Sequence, residues 1–248
     1  MLGGCFPPLT WRGPEARAKE ASNVADENGI EVHAPRGGER PHWAILEELG
    51  LKIGLTREEM RQAMDALTAL KTRVSPLKLA EPAPTAEALE AMFAAAVAAP
   101  DHGRLRPWRF LIFDGAARER FGTLLEQSLL RREPEAPAAK RDAERKKAER
   151  APLIIVAAAT VKDDAKIPAV EQIVAVGAAA QNLLVAAHAL GYGGFWRTGA
   201  AAYDAVFKRE LGLAESDAIV GFLYVGSVAT PGQPRRSETA DAIRRLPS

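Results

Sequence analysis

Apolar residues form one long block between positions 170 and 190, with the sequence VEQIVAVGAAAQNLLVAAHAL, and this block predicts a long helix. A helix that is apolar on nearly all sides is buried over most of its surface. At a rise of about 1.5 Å per residue it is roughly 30 Å long, which also fits a membrane span. Its Ala- and Val-rich composition, its internal polar groups and the absence of a basic flank favour instead the central helix of a soluble domain. The strongly polar side chains within it are Glu171, Gln172, Gln181, Asn182 and His188.

Two features of this block suggest how it is used. The small residues at positions 177–180 allow two backbones to approach closely, so we expect the helix to pack against a second copy of itself. The glycine-rich segment that follows, GYGGFWRTG at positions 191–199, predicts a hinge leading into a short strand. That strand ends in Trp196, Arg197 and Thr198.

The N-terminal part of the chain has a different pattern. Over residues 1 to about 40, Gly, Pro and charged residues dominate and no helical or strand period is sustained. Such a segment buries too little apolar surface to offset its ordering entropy. Thr56 and Glu59 then form a capping-box pattern that predicts the start of a helix running to about Arg73. We therefore divide the chain into a poorly ordered extension, 1–55, and one domain, 56–248.

Helices and strands alternate through the rest of the chain. Thr85 is predicted to cap a helix over 86–98, and the run RREPEAPAAKRDAERKKAER at 131–150 predicts a solvated helix or a mobile lid. The pattern predicts an α/β or α+β fold with a helix-covered sheet. The remaining predicted elements are strands at 108–114, 153–160 and 218–228 and helices at 116–130 and 203–212.

Composition narrows the functional classes. The 248 residues carry a formal net charge of +1 and are 47% hydrophobic, which is ordinary for a soluble globular protein. The near-zero net charge gives no electrostatic argument for binding nucleic acid or an anionic membrane. Cys5 is the single cysteine, so an internal disulfide and a cysteine-based zinc site are excluded. This cysteine content fits a reducing compartment, and we expect a cytoplasmic location.

Few catalytic motifs are present. The sequence has no GxGxxG, GxxxxGK[ST], GxSxG or HExxH motif, and its four histidines do not form a metal-ligand cluster. Three arginine-bearing segments remain, at positions 71–75, 101–108 and 193–199. Arginine forks match phosphate or ring oxygens, tryptophan gives an apolar wall, and glycine allows close approach of the backbone. These segments suit a flat anionic ligand such as flavin mononucleotide (FMN), or else arginines that lie over a dimer surface.

Four segments in order carry a family resemblance: AAPDH at 98–102, RPWRF at 106–110, GGFWRTG at 193–199 and VGFLYVG at 220–226. Together they resemble the nitroreductase superfamily, most nearly its small YdjA-like NAD(P)H nitroreductases, over about residues 64–226. The resemblance implies an α+β nitroreductase-like fold, with a central, mostly antiparallel sheet flanked by helices. It also implies an intertwined homodimer with two FMN molecules at the interface, each contacted by both chains.

The resemblance also assigns the phosphate end of the flavin site. Arg73, Val74 and Ser75 match the Arg-Arg-Ser segment that holds the FMN phosphate in the family. Arg73 would supply charge, Ser75 a hydroxyl group and Val74 only its backbone. Because the second arginine of the family pattern is replaced here by Val74, we expect Lys71 to compensate.

Other residues match the positions around the flavin ring. His102 matches a family histidine that reaches the flavin, and Arg106 stands where the family often has glutamine. A cation there would stabilise the reduced, anionic ring. The segment that lines the flavin in the completed site is matched by Trp196, Arg197 and Thr198. A weaker match links Arg235 and Arg236 to a C-terminal tail that reaches the phosphate from the partner chain.

The resemblance therefore implies an FMN-dependent oxidoreductase. NAD(P)H would reduce the flavin, and a nitroaromatic, a quinone or a related small-molecule acceptor would reoxidise it in a ping-pong cycle. The flavin carries the chemistry, so no catalytic side chain and no metal are predicted. Two alternatives remain: a relative with different redox chemistry, such as dehalogenation or flavin fragmentation, and a non-enzymatic flavin-binding interaction protein with residues 1–63 as its docking arm.

Overall fold

A computed structural model describes residues 66–76, 78–163, 166–230, 232 and 242–246, together with the backbone of 23–25 and 31–33. The chain separates into two units, Met1–Met60 and Arg61–Ser248. In the first, strand β1 (Asn23–Ala25) pairs antiparallel with β2 (Glu31–His33). Apart from these two strands, the predicted extension over 1–55 and the capping box at Thr56 lie outside the described residues.

The second unit contains six described helices and five described strands. The helices are α1 (Ala66–Thr72), α2 (Ala86–Val97), α3 (Ala117–Arg132), α4 (Ala138–Arg145), α5 (Ala169–Ala189) and α6 (Ala205–Glu210). The strands are β3 (Leu79–Ala80), β4 (Trp108–Asp114), β5 (Leu153–Ala159), β6 (Gly193–Arg197) and β7 (Ala218–Val228). The predicted strands and the predicted central helix are confirmed.

Local sequence signals account for several boundaries. Thr85 caps α2 as predicted, because its side chain accepts a hydrogen bond from the backbone N–H of Ala88 at 3.2 Å. The charged run over 131–150 forms the end of α3, then α4, then a 3₁₀ turn at Lys146–Glu149. Helix α4 and the 3₁₀ turn pack against α3. Of the two predicted alternatives for this run, a helix or a mobile lid, the structure shows the helix.

The sheet is built around β7, its longest strand. One edge of β7 pairs with β5, and the other pairs with β6 and, further along, with β3. Strand β4 lies outside β5, and every pairing is antiparallel. All seven residues of β5 are buried, as expected for an inner strand covered on both faces. The arrangement confirms the predicted antiparallel sheet flanked by helices.

Each face of the sheet is covered by its own hydrophobic layer. On one face Met92 of α2 and Leu183 of α5 pack against Ile155 and Leu223 of the sheet. On the other face α3 and α6 cover an aromatic cluster centred on Phe121, whose ring centroid lies 5.4 Å from that of Phe222 in an edge contact. Side chains on the two faces of β6 therefore lie in different hydrophobic layers, one beneath α5 and the other beneath α3.

Helix α5 is buried on one side only. Ala180, Leu183 and Ala187 pack against the sheet, whereas Val170 and Val174 are 63% and 64% exposed. It is the only helix among the described residues that is long and apolar enough to cross a membrane by length and composition. Its packing against the sheet explains the apolar character of one face, and the exposed valines leave an apolar stripe on the other.

Candidate functional site

The loop before β4 has an unusual backbone. Gly103, Arg104 and Arg106 all have positive φ, at 72°, 54° and 50°. For the two arginines this left-handed conformation is energetically unfavourable and persists only where the surroundings impose it. Asp101 is one cause, because its Oδ2 accepts a hydrogen bond from the backbone N–H of Arg106 at 2.6 Å. The loop thereby presents the exposed side chains of His102 and Arg106.

Gln172 supports this loop from the interior of the protein, through contacts with Lys162. Its side chain is 2% exposed and binds both backbone groups of Lys162, with Lys162 N–H to Oε1 at 2.9 Å and Nε2 to the Lys162 carbonyl at 3.1 Å. Nε2 also donates to the carbonyl of Ile167 at 3.0 Å. Lys162 Nζ in turn donates to the carbonyl of Leu105 at 3.0 Å. A buried polar residue near the start of α5 is thus linked to the strained loop through Lys162.

His102 reaches the beginning of α5. Its Nδ1 lies 2.5 Å from Glu171 Oε2, and both side chains are largely open to solvent. A shallow cavity of about 300 Å³ adjoins this pair. Its wall includes Val170 and Val174, so the polar pair borders an apolar surface.

Arg73 and Ser75 lie at the other end of the same helix. Arg73 Nη1 donates to the carbonyl of Val74 at 3.1 Å and contacts Ser75 Oγ at 3.4 Å. Thr72 Oγ1 stands 2.9 Å from His188 Nε2 and donates its own hydrogen to the Thr68 carbonyl at 2.7 Å. With the hydroxyl hydrogen placed on the Thr68 carbonyl, Thr72 Oγ1 accepts from His188, an arrangement that favours the tautomer protonated at Nε2.

The charge state of His188 follows from its surroundings. Burial lowers the pKa of His188, and the positive charge of Arg73 lowers it further. Both effects favour the neutral imidazole. A neutral ring beside Arg73 leaves the guanidinium as the main positive charge of this corner.

The two predicted clusters are therefore far apart within one chain. Glu171 and His188 are separated by most of the length of α5, roughly 25 Å at the helical rise. Because His102 contacts the first and Thr72 the second, the His102 cluster and the Arg73 cluster lie at opposite ends of α5.

Strand β6 separates two further predicted residues. The indole N–H of Trp196 donates to the carbonyl of Val220 at 3.1 Å, and the ring lies on the α5 face. Successive strand side chains point to opposite faces. The guanidinium carbon of Arg197 accordingly lies 5.6 Å from the ring centroid of Phe195, which belongs to the α3 face.

Arg197 and Thr198 line a cavity of about 360 Å³ between the end of β6 and helices α3 and α4, which we call the α4 cavity. The structure thus groups these two residues with the basic side chains of α3 and α4, and not with Arg73 or His102. The other charged residues of the cavity are Arg132, Glu133, Lys140, Glu144, Lys147 and Arg150.

Sequence reasoning missed the residues that position the site. Glu171, Gln172 and His188 interrupt the apolar pattern of the helix, but the pattern indicates no partner for any of them. No sequence motif or periodic pattern pointed to Lys162. Arg235 and Arg236 lie outside the described residues, and within the described part no group of His, Cys, Asp or Glu could hold a metal ion.

Comparison with known proteins adds the family context. The family model described as "Nitroreductase family" matches residues 70–227. "Putative NAD(P)H nitroreductase YdjA" of Escherichia coli strain K12 is 42% identical over 164 residues, which are 66% of this chain and 88% of that protein.

Solved structures share the fold. A nitroreductase-like family protein from Bacillus cereus gives a TM-score of 0.65 at 22% identity, covering 75% of this chain and 97% of that one. A "putative nitroreductase" in complex with FMN from Desulfovibrio desulfuricans gives a TM-score of 0.59 at 23% identity, covering 75% and 98%.

Proposed function

The chain belongs to the nitroreductase family, and from that premise we propose that it is an FMN-dependent oxidoreductase that uses NAD(P)H to reduce nitroaromatics, quinones or related acceptors by a ping-pong cycle. The name of the Escherichia coli relative supports the donor, and the FMN-bound structure from Desulfovibrio desulfuricans supports the cofactor. The observation that carries the proposal is the pair of cationic clusters at the two ends of α5.

The first cluster suits a phosphate. Arg73 is half-buried, and no carboxylate among the described residues lies within ion-pair distance of it. Its hydrogen bonds go to neutral groups, the Val74 carbonyl and the Ser75 hydroxyl, so its charge is available to an anion. In the proposed site Arg73 binds the FMN phosphate, Ser75 donates its hydroxyl hydrogen and Val74 contributes backbone alone. Lys71, two residues earlier in the chain, is exposed and can add charge.

The second cluster suits the ring of the flavin. His102 and Arg106 are exposed on a strained loop that the rest of the fold holds in place, as is common at ligand sites. A guanidinium beside the ring would favour negative charge on it. In the proposed site this cluster comes from a second chain, because within one chain it lies at the far end of α5 from Arg73. The site would then combine Arg73 with the partner subunit's His102. The end of β6, with Trp196, Arg197 and Thr198, would line the ring through its backbone.

The exposed stripe on α5 supports the same dimer. Val170 and Val174 border the cavity beside His102, and a second copy covering them would bury apolar surface while delivering its own phosphate-binding cluster. The proposed assembly is a homodimer with one flavin at each of two equivalent sites. The single cysteine supports a reducing, cytoplasmic setting.

When bound, FMN would supply reversible two-electron chemistry. The protein's own residues would hold the phosphate, fix the ring between two chains and exclude bulk water from one of its faces. In this proposal no side chain acts as acid or base, because the protons can come from water. That division of labour is the usual one in flavoproteins.

The decisive experiment is the visible absorbance spectrum of the purified full-length protein before and after addition of NADPH. A flavin band that bleaches with NADPH and returns in air supports the proposal. Arg73→Ala should lose the band on gel filtration, whereas the matched control Arg209→Ala, an exposed arginine on α6, should keep it. Absence of flavin even after incubation with FMN overturns the proposal. Bound flavin that NADH and NADPH both fail to reduce favours a non-enzymatic flavin-binding protein.

A further inference from the structure

The α4 cavity has an excess of positive charge. Two of its five cations are neutralised within it, because Lys140 lies 2.5 Å from Glu133 and Lys147 lies 2.6 Å from Glu144. The other three, Arg132, Arg150 and Arg197, have no carboxylate within ion-pair distance among the described residues. Three uncompensated guanidinium groups around one space attract an anion.

Hydroxyl groups add to these cations. The side chain of Tyr224 is buried, and the charges of Arg150, Glu144 and Arg197 all act on its hydroxyl. Burial raises the pKa of Tyr224 to about 12, so it remains an O–H donor at neutral pH. Thr198 lines the same space with a second hydroxyl. The cavity therefore combines charged forks with neutral donors, which is the donor set that phosphate or carboxylate oxygens require.

The floor of the cavity is apolar. Leu125, Leu129 and Phe222 are each buried and belong to its lining. The ring of Tyr224 is fixed by stacking on Phe195, with centroids 4.8 Å apart and planes at 8°. A volume of about 360 Å³ exceeds what a bare phosphate ion fills. The lining thus matches a ligand with an anionic group at one end and a compact apolar body at the other.

We propose that the α4 cavity is a binding site for a small organic anion, a phosphomonoester or carboxylate on a flat apolar group, held by Arg132, Arg150 and Arg197. The site is separate from the two clusters at the ends of α5, since its charged residues come from the segment 132–150 and from the α3 face of β6. It shares only the end of β6 with the proposed flavin site, where the backbone would line the ring while the side chains of Arg197 and Thr198 line this cavity. The same chemistry has two sources: a free small molecule, or the phosphate-bearing adenosine of a dinucleotide.

The experiment is calorimetric titration of the FMN-saturated full-length protein with phenyl phosphate and, separately, with adenosine 2′-monophosphate. Arg132→Gln and Arg150→Gln should each weaken binding at least tenfold, since each removes a charge-assisted contact. Arg209→Gln, the matched loss of an exposed arginine outside the cavity, should leave the dissociation constant unchanged. Both cavity arginines are exposed, and circular dichroism should show that their variants are folded.

The outcomes separate this site from the flavin site. Binding of phenyl phosphate alone supports a free small anion as the ligand, and competition by adenosine 2′-monophosphate supports a dinucleotide. Absence of saturable binding, or binding unaltered in Arg150→Gln, overturns the proposal. If the protein holds no FMN, the titration is repeated with Arg73→Ala: retained binding supports the α4 cavity independently, whereas lost binding places the anion at Arg73.

Discussion

His188 Nε2 lies 2.9 Å from Thr72 Oγ1, which ties the last turn of α5 to the last turn of α1 directly before Arg73. The contact spans 116 residues of sequence. It fixes the entry of the segment that carries the proposed phosphate ligands, and it depends on an imidazole that donates from Nε2.

This relationship predicts a pH-dependent stability. Burial, and then the charge of Arg73, lower the pKa of His188 in the folded state below its ordinary value of 6.5. Below that value the unfolded chain binds more protons at this position than the folded chain does, so the free energy of unfolding falls as the pH drops. His188→Gln removes this contribution.

Urea unfolding of the wild type and His188→Gln at about pH 7.5 and about pH 5.5 checks it. The wild type should lose more stability between the two values than the variant does. The other titrating groups are common to both proteins and cancel in the comparison. Equal losses would show that His188 is not held neutral by the fold.

The positions of the two clusters predict subunit complementation. Arg73→Ala and Arg106→Ala should each weaken FMN binding when alone. In a mixed dimer that draws Arg73 from one chain and the partner subunit's Arg106 from the other, one of the two sites regains both residues. Random mixing by unfolding and refolding should therefore restore about a quarter of the wild-type flavin sites.

The matched control mixes Arg73→Ala with Ser75→Ala. Both residues belong to the same cluster, so every site in such a mixed dimer keeps one defect and no site is restored. Bound flavin is measured by absorbance after gel filtration. Restoration in the control, or none in the first mixture, would contradict a site shared between chains.

The close packing of Trp196 against Gly221 leads to a prediction about stability. A Cβ at Gly221 would overlap the indole Nε1 of Trp196, the atom that donates to the Val220 carbonyl. Gly221→Ala should therefore reduce the free energy of unfolding by about 1–3 kcal/mol through overpacking. Gly177→Ala is the control, because its Cβ would stand 3.9 Å from Cη2 of the same ring, an ordinary contact. Chemical denaturation of both variants, followed by circular dichroism, distinguishes them; equal destabilisation would reject the steric explanation.

The contacts of Asp204 lead to a further prediction about stability. Its Oδ1 accepts hydrogen bonds from the backbone N–H of Val206 at 2.9 Å and of Phe207 at 3.2 Å, capping α6, and its Oδ2 lies 2.8 Å from Arg131. Asp204→Ala should cost about 1–2 kcal/mol of stability. Asp114→Ala, which removes an exposed carboxylate at the end of β4, should stay within about 0.5 kcal/mol of wild type.

The contribution of Asp204 also depends on pH. Burial alone would raise the pKa of Asp204, but the nearby Ser128 hydroxyl together with hydrogen bonds from Arg131 and two backbone amides outweighs burial and holds the pKa below 3.8. The stabilisation is therefore complete above that value and is lost as the pH falls below it. The difference between wild type and Asp204→Ala should shrink between about pH 7 and about pH 3; a constant difference would assign the effect to packing alone.

Local pattern was enough for much of the fold. The apolar run of β5, the long helix α5 and the cap at Thr85 follow from interactions between residues near one another in sequence, and each lies where the pattern predicts it. The motifs at 98–110 and 193–226 indicated the family, which the comparisons confirm. The extension over 1–55 and the roles of the eight proposed flavin-site residues stay predictions.

The tertiary structure decided which side chains of these elements come into contact. Strand alternation separates Trp196 from Arg197, but only the packing of α5 on one face and α3 on the other shows which layer receives each side chain. In the same way, the sequence by itself determined the length of α5 and the polar residues within it. Only the fold shows that Glu171 meets His102 and that His188 meets Thr72, about 25 Å apart. Secondary structure is set by neighbours in sequence, whereas a site depends on long-range contacts that exist only once the chain has packed.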